Sequence, residues 1–357
     1  MNLEFQKRQN EVLEILSTLA QEARVAGETL VFIGGSAVQT AVLKQPLRLS
    51  IDLDLYYSGD AEALLSKLID YKIEKRPTKQ QDLFSFYKVI NDKVEVKVDI
   101  ARFSLVNAGK PFGLKKLTIG KKYFEANVAT PDYLLASKLA ALAIGTVGRS
   151  PEKESFRLLD FLKDVFDANC LIDDFSAGPQ MWKFFEQVCQ IQNNMRNTNF
   201  TFSQVIESAM NALLDSALTT NNTTSIGKQH LSEFQNAYLL IGAINTRDYK
   251  IMTCRLAAYL SLLNPGNEEN REFIKQMEQT IAEKYTDKHF IEACEAKLIE
   301  IDFEPKQLHE LKVVAPQALA YLFAAKYPLE LDKITDEKRG LTEGLKNGLK
   351  SGLKDGL

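Results

Sequence analysis

The strongest constraint on the fold of this chain is a change in hydrophobic period near residue 130. Before this point, apolar residues alternate with polar ones over short segments such as 94–100, which is the pattern of β-strands. Thr130-Pro131 then predicts a helix start, because threonine is a good N-cap and proline fits the first helical position. Beyond it the apolar residues recur at helical spacing, beginning with Leu134, Leu135, Leu139 and Leu142. The sequence therefore predicts an α+β fold, with an N-terminal α/β domain followed by an all-helical domain.

The length of 357 residues is consistent with two domains rather than one. We predict an α/β domain over residues 1–128 and a helical domain over residues 129–335. Residues 336–357 form a separate tail in which a Gly-Leu pair recurs every four residues, from Gly340-Leu341 to Gly356-Leu357. Because each glycine costs a helix about 1 kcal/mol relative to alanine, this tail is expected to be flexible and solvated.

The composition is that of an ordinary globular protein, with 45% hydrophobic and 25% charged residues. No run approaches the roughly 18 apolar residues of a membrane span, and the N-terminus has an amphipathic helical pattern rather than that of a signal peptide. The four cysteines are far apart and form no Cys-x-x-Cys pair, so neither a zinc site nor a disulfide framework is expected. These features predict a cytoplasmic protein without a membrane partner.

Charge is unevenly distributed along the chain. The whole sequence has 44 basic and 47 acidic residues, a formal charge of −3. Between Lys72 and Lys122, however, 13 Lys and Arg residues stand against 5 acids, so this basic segment carries +8 and the remainder −11. The near-neutral total charge excludes a protein surface that is basic throughout and binds nucleic acid over its whole area. The basic segment could still bind an RNA backbone. The simpler interpretation is a solvated charged face.

An ordered set of residues in the first hundred positions predicts phosphoryl or nucleotidyl transfer. A short buried strand is followed by the turn Gly34-Gly35-Ser36, which can bring backbone N–H groups and a hydroxyl to phosphate oxygens. Asp52 and Asp54 share one face of an alternating strand, and Asp99 lies on the polar face of another. Three carboxylates on adjacent strands can hold two Mg²⁺ ions, which stabilise an in-line displacement on a nucleoside triphosphate. Each piece alone is weak, because such turns and aspartates are often merely structural.

Four segments carrying these residues resemble the nucleotidyltransferases of the AbiEii/AbiGii toxin family, within the polymerase-β-like superfamily. They are FIGGSAVQTAVLKQPLRLSIDLDLYY (32–57), VKVDIARF (96–103), TPDYLLASKLAALAIGTVGR (130–149) and FLKDVFDANCL (161–171). The resemblance implies that the nucleotide and metal site is lined by Ser36, Arg48, Ser50, Asp52 and Asp54. It further implies that Lys138 contacts the triphosphate and that Asp164 is a late acidic catalytic residue.

Two departures from the family pattern affect these assignments. Lys163 stands where arginine usually precedes the late aspartate, which keeps the charge but loses the bidentate fork. The segment also ends in Ala-Asn-Cys-Leu (168–171) where the family has an Asp-Leu-Tyr ending, so the late acid could be Asp160 or Asp167, although we favour Asp164. Without the family pattern, Lys138 would be interpreted as a lysine that extends from an apolar helix to solvent.

The predicted function is an Mg²⁺-dependent transfer of NMP from an NTP to an acceptor hydroxyl. By resemblance, the protein is the toxin of a bacterial type IV toxin–antitoxin or phage-defence system, with a cognate antitoxin as partner and the acceptor end of tRNA as target. Asp52, Asp54 and Asp99 would hold the metal, with Gly34 and Gly35 against the phosphates. Two alternatives remain at this stage: transfer to a small molecule such as an aminoglycoside, and a protein that binds a nucleotide or partner without turnover.

Overall fold

The computed structural model describes residues 3–77, 83–92, 94–102, 111–148, 158–175, 181–218, 226–263, 270–328, 330–331 and 334. The predicted Gly-Leu tail over 336–357 lies outside these described residues, as do Lys79, Lys93 and Lys110 of the basic segment.

The first part of the chain forms a seven-stranded mixed sheet, which confirms the predicted α/β architecture. In sheet order β3-β4-β5-β2-β1-β7-β6, two neighbouring pairs are parallel, β2 with β5 and β1 with β7. The strands are β1 Leu30–Ile33, β2 Asp52–Tyr57, β3 Lys72–Arg76, β4 Phe84–Ile90, β5 Glu95–Arg102, β6 Phe112–Ile119 and β7 Lys122–Ala129.

Helix α1, Leu3–Val25, covers one side of the sheet because its apolar residues fall on one face. Val12, Ile15, Leu16 and Leu19 are all fully buried. Burying each side chain of this size contributes about 1.5–3 kcal/mol, so these four residues anchor the helix. Two short elements follow β1, the four-residue helix α2 Gly34–Ala37 and the π-helical turn Val38–Val42, and α3 Ala61–Leu65 follows β2.

The rest of the described chain is helical, as the change of period at residue 130 predicts. Helix α4 begins where expected: the Thr130 side chain accepts a hydrogen bond from the Tyr133 N–H, and Pro131 is its first residue. The helices are α4 Pro131–Ala141, α5 Leu158–Asp174, α6 Met181–Arg196, α7 Phe202–Leu218, α8 Lys228–Ala237, α9 Thr246–Ser261, α10 Asn270–Lys284, α11 Lys288–Ile299, α12 Pro305–Val314 and α13 Pro316–Lys326. None of the helices in the described part of the chain combines the length and apolarity needed to cross a bilayer.

The chain divides into two compact units. The first comprises Met1–Ala209 with Ile226–Ile244 and contains the sheet and helices α1–α6 and α8. The second comprises Met210–Ser225 with Asn245–Leu357 and contains helices α9–α13. In the second unit α13 is central, since every residue from Ala318 to Ala325 is buried. The predicted domain boundary at residue 128 stays a prediction.

Candidate active site

A cleft of about 720 Å³ opens on the sheet of the first unit. Its floor comes from strands β1, β2, β4 and β5, and its walls come from helices α4, α5 and α6. The predicted site residues among its lining are Gly34, Gly35, Asp54, Asp99, Lys138 and Asp164.

The strand register brings the predicted carboxylates to one face of the sheet. Strands β2 and β5 are parallel neighbours in which Asp54 pairs with Asp99 and Asp52 pairs with Lys97. Paired residues of adjacent strands project from the same face, so the three aspartates and Lys97 share it. Asp54, Asp99 and Lys97 line the cleft, and Asp52 is half-buried two residues before Asp54.

The electrostatics of this cluster suit a cation. Burial, followed by the charges of Asp54 and Asp52, raises the pKa of Asp99 to about 8, against smaller lowering effects of Lys97 and Arg76. No group of three or more His, Cys, Asp or Glu side chains in the described residues is gathered tightly enough to hold a metal ion. The three aspartates nevertheless fit a metal ion chemically, because carboxylate oxygens are the ligands that Mg²⁺ takes. A bound cation would also relieve the repulsion that raises the pKa of Asp99.

The two glycines of the turn are required by close packing. Gly34 has φ +75°, a conformation that favours glycine, and a Cβ placed there would lie 1.9 Å from Asp54 Oδ2. A Cβ on Gly35 would lie 2.6 Å from Arg48 Nη2 and 3.1 Å from Ser50 Oγ. The glycine pair therefore lets the turn lie directly against Asp54, Arg48 and Ser50.

Ser36 connects this turn to the carboxylate strand. Its side chain is fully buried, and its hydroxyl donates to the Asp52 carbonyl oxygen at 2.5 Å. The bond fixes the start of β2 relative to helix α2. In this geometry the Ser36 hydroxyl positions Asp52, and its predicted contact with a phosphate stays a prediction.

Arg48 belongs to a buried network centred on Asp167. Its Nε donates to Asp167 Oδ1 at 2.7 Å and its Nη2 to Oδ2 at 2.5 Å, a bidentate pair in which the side chains are 3% and 0% exposed. Gln39 Nε2 donates to the same Asp167 Oδ1 at 2.9 Å, while Gln39 Oε1 accepts from the N–H groups of Leu47 and Arg48. The loop before β2 is thereby fastened to helix α5.

Lys138 extends this network to the wall of the cleft. Its Nζ lies 2.8 Å from Asp164 Oδ1 and 2.9 Å from Asp167 Oδ2, and its side chain is 12% exposed. Burial alone would lower the pKa of Lys138, but the charges of Asp164 and Asp167 raise it above its ordinary value. Burial likewise would raise the pKa of Asp167, yet Arg48 and Lys138 lower it overall. Arg48, Lys138 and Asp167 are therefore ionised near neutral pH, and the two cations face the carboxylates of Asp167 and Asp164.

A pair of tyrosines holds helix α4 against strand β2. The hydroxyl groups of Tyr56 and Tyr133 are 2.8 Å apart, and burial raises the pKa of Tyr56 to about 12. Tyr56 lies two residues after Asp54, and Tyr133 lies five residues before Lys138. The contact therefore fixes the lysine-bearing helix relative to the carboxylate strand.

The sequence indicates Asp167 only as an alternative late acid, not as the centre of a buried network, and it does not single out Gln39. Asp160, the third candidate for the late acid, pairs instead with Lys163 at 3.1 Å. The available signal was the spacing of Asp164 and Asp167, since residues three apart share a helix face and can grip one lysine. Gln39 carries no such signal, because its partner lies 128 residues away.

Comparison with known protein families identifies the fold that carries this cleft. A family model described as the nucleotidyl transferase AbiEii toxin of type IV toxin–antitoxin systems matches residues 17–239. The chain belongs to the AbiEii nucleotidyltransferase toxin family. The matched residues cover more than half of the chain and include every predicted site residue. The protein is thus a nucleotidyltransferase enzyme of the type IV toxin class, and membership implies a nucleotide substrate and a cognate antitoxin.

Other comparisons are more distant. Among solved structures, the chain is similar to the nucleotidyltransferase toxin MenT4 of Mycobacterium tuberculosis, with 12% sequence identity and a TM-score of 0.46 over 76% of this chain and 88% of that one. A search of functionally curated proteins gave no match.

Proposed function

We propose that the protein transfers an NMP from an NTP to the acceptor-end hydroxyl of tRNA, using Mg²⁺. The observation that carries the proposal is the set of Asp52, Asp54 and Asp99 on one sheet face, with Asp54 and Asp99 opening into a cleft beside the Gly34-Gly35 turn. Acting on tRNA, the toxin would work in the cytoplasm.

The three aspartates are the proposed metal ligands. When bound, Mg²⁺ supplies positive charge for the triphosphate and for the pyrophosphate that leaves. Asp99 is also proposed to accept the proton of the attacking hydroxyl, because it lines the cleft beside Asp54 and a bound cation keeps its carboxylate ionised. The hydroxyl oxygen bonds to the α-phosphorus, and the bond from that phosphorus to the bridging oxygen of pyrophosphate breaks.

Lys138 is proposed to contact the triphosphate. An ammonium group has three N–H donors, and Asp164 and Asp167 take two of them. The third can serve a phosphate oxygen in the cleft that Lys138 lines. We propose that Gly34, Gly35 and Ser50 lie close to the phosphates. Arg48 and Ser36 would act on the nucleotide indirectly, by positioning Asp167 and Asp52.

The apolar part of the cleft lining suits the nucleobase. Phe84 and Phe86 on strand β4 line the cleft together with Val188 and Met195 of α6, and the two rings lie 4.8 Å apart. Phe86 pairs with Asp99 across strands β4 and β5, so this surface lies beside the carboxylates. Aromatic and apolar side chains offer a base a stacking surface, and the Gln192 amide on the same wall can hydrogen-bond to its edge.

The proposal is tested by incubating the protein with radiolabelled NTPs, Mg²⁺ and total tRNA, and following label in the RNA. Wild-type protein should label tRNA, and both chelation of the metal and the double substitution Asp52→Ala with Asp54→Ala should abolish labelling. Equal labelling by wild type and double variant would contradict the proposal. Label transferred to an aminoglycoside and not to tRNA would support the small-molecule alternative, while nucleotide binding without any product would support the non-catalytic one.

A further inference from the structure

The hairpin formed by strands β6 and β7 presents a cluster of lysines at one edge of the sheet. Its turn, Gly120-Lys121, has two residues, and Gly120 adopts φ +58°. Lys116, Lys121 and Lys122 are exposed, whereas Lys115 is half-buried and donates to the Ala41 carbonyl oxygen at 3.2 Å. Ala41 belongs to the π-helical turn that follows helix α2, so the hairpin contacts the segment directly after the cleft-lining Gly34 and Gly35.

The lysines of the opposite sheet edge are neutralised by acids. On strands β3 and β4, Lys72 pairs with Glu74 at 2.7 Å, Lys75 with Glu62 at 2.5 Å and Lys88 with Glu95 at 2.6 Å. The basic segment recognised in the sequence is therefore not uniform. At this edge its positive charge is largely cancelled by local carboxylates.

The hairpin lysines have no such acid partners. In the described part of the chain no ion pair involves Lys116, Lys121 or Lys122. The single acid of the hairpin, Glu125, lies 3.5 Å from Arg24 Nη1 and is thereby balanced from outside the hairpin. Among the described residues of the basic segment, Arg76, Lys97 and Arg102 also form no ion pair, but they lie on β3 and β5, and the first two act on Asp99. The hairpin is where unpaired lysines lie close together, three of them between residues 116 and 122.

An exposed aromatic ring lies among these charges. Tyr123 is 66% exposed, and Lys116 Nζ lies 3.5 Å from the centroid of its ring. Lysines that neutralise phosphates next to a ring that can stack on a base are the two components of single-stranded nucleic-acid binding surfaces. RNA supplies a phosphate for each lysine and a base or ribose for the ring within one ligand, so it matches both features of the surface. An acidic protein surface, such as that of an antitoxin, is the competing occupant that the test below separates from RNA.

We propose that the β6–β7 hairpin is the RNA-binding surface of the enzyme, with Lys116, Lys121 and Lys122 on phosphates and Tyr123 against a base or ribose. This inference rests on the proposed function, since it assigns a surface to the RNA acceptor. Three strand spacings, about 14 Å, separate β6 from β2 across the sheet. Because β7 runs parallel to β1 with Val128 opposite Phe32, the hairpin turn also lies about seven residues, or about 23 Å, along the strands from the level of Asp54. The tRNA would therefore have to extend from the end of the hairpin along the sheet to place its acceptor end at the cleft.

The test compares two full-length triple variants with the same change in net charge. Lys116→Gln/Lys121→Gln/Lys122→Gln removes the hairpin charges, and Lys72→Gln/Lys75→Gln/Lys88→Gln removes three lysines at the other edge. Binding of fluorescently labelled tRNA is measured by anisotropy across a salt series without NTP. We expect the hairpin variant to bind about tenfold or more weakly at 100 mM salt, and its log–log salt slope to fall in magnitude by about 2 to 3. The control should remain within about threefold of wild type.

The outcomes separate this inference from the proposed function. Matching circular dichroism spectra and melting temperatures would establish that both variants fold. Equal tRNA binding by both variants, or no tRNA binding by wild type, overturns the inference. The inference is also overturned if the hairpin variant still binds tRNA but is no longer inhibited by the antitoxin. That result would show that the hairpin binds the antitoxin rather than RNA. Hairpin-dependent binding by a wild type that transfers no NMP supports the inference and contradicts the proposed function.

Discussion

At the scale of single residues, Gly34 shows how closely the turn and the carboxylates are fitted. It adopts φ +75°, and the space where a Cβ would stand is already occupied by the Asp54 carboxylate. Such a position meets two separate demands, one on backbone conformation and one on the distance between the turn and Asp54.

We predict that Gly34→Ala lowers nucleotidyl transfer by at least about 100-fold, because the new methyl group displaces Asp54 from its place beside Asp99. The matched control is Gly242→Ala, since Gly242 has φ +81° but nothing within 4 Å of its would-be Cβ. Both variants carry the backbone strain of about 1–2 kcal/mol, whereas only Gly34→Ala should lose activity. Labelling kinetics and thermal melts of the two proteins check this, and similar activity in both would show that the contact with Asp54 is unimportant.

Asp99 makes the stability of the fold depend on pH. Its pKa is raised to about 8, so the folded protein retains a proton that the unfolded chain loses near pH 4. The free energy of unfolding should therefore fall as the pH rises from about 4 to 8. Asp99→Asn should lack this slope and exceed wild type in stability at pH 8, by about 1–3 kcal/mol.

Chemical denaturation at several pH values, in the presence of a chelator, measures the effect of Asp99. Added Mg²⁺ should reduce the dependence of the wild-type free energy of unfolding on pH, since a bound cation favours the ionised carboxylate of Asp99. The same addition should affect Asp99→Asn much less. Parallel pH profiles for the two proteins would show that Asp99 ionises normally in the fold.

At the scale of elements, the buried network fastens three segments that are far apart in sequence. Asp167 on α5 receives Arg48 from the loop before β2, Lys138 from α4 and Gln39 from the turn after α2. The network joins charged groups that would each be costly to bury alone. It therefore determines where the lysine-bearing helix lies relative to the carboxylate strand.

We predict that Asp167→Asn lowers the free energy of unfolding by about 3–5 kcal/mol, because it leaves Arg48 buried without its charge partner. Asp160→Asn is the control on the same helix, since the pair of Asp160 with Lys163 is only partly buried and should contribute less than about 1 kcal/mol. Adding Arg48→Met to an Asp167→Leu background should recover part of the lost stability. Urea denaturation of the single and double variants gives the coupling energy, and a coupling near zero would mean that the pair is not important for stability.

The sequence predicted elements where local pattern determines structure. The alternating polarity of Asp52, Leu53 and Asp54 predicts strand β2, and Thr130 with Pro131 predicts the start of α4. The sequence does not predict strands β6 and β7, since their lysine-rich segments lack a clear alternation and depend on the pairing of β6 with β7 and of β7 with β1. Nor could the network around Asp167 be inferred, because Arg48 lies 119 residues away and no local spacing relates the two.

At the scale of the whole molecule, the candidate chemistry is confined to one compact unit. All residues that line the cleft belong to the first unit, whereas α9–α13 form a second core around α13. The seven strands of the described chain all precede residue 130, where the hydrophobic period changes, but helices α4, α5 and α6, which follow it, belong to the same compact unit as the sheet. The hydrophobic period of a segment indicates whether it is a strand or a helix. The compact unit to which that segment belongs depends instead on tertiary contacts, such as that between Tyr56 and Tyr133.

The charge balance of Arg48, Lys138, Asp164 and Asp167 also bears on how such a toxin can be inactivated by mutation. Replacing Lys138 with a neutral residue would leave two buried carboxylates facing one arginine, so the variant would lose folded protein as well as any contact with phosphate. Unfolded chains are removed by cellular proteases, and a few kcal/mol can change abundance several-fold. Cells that survive toxin expression because Lys138 is substituted should therefore contain less toxin protein. The toxin that remains should also have low activity.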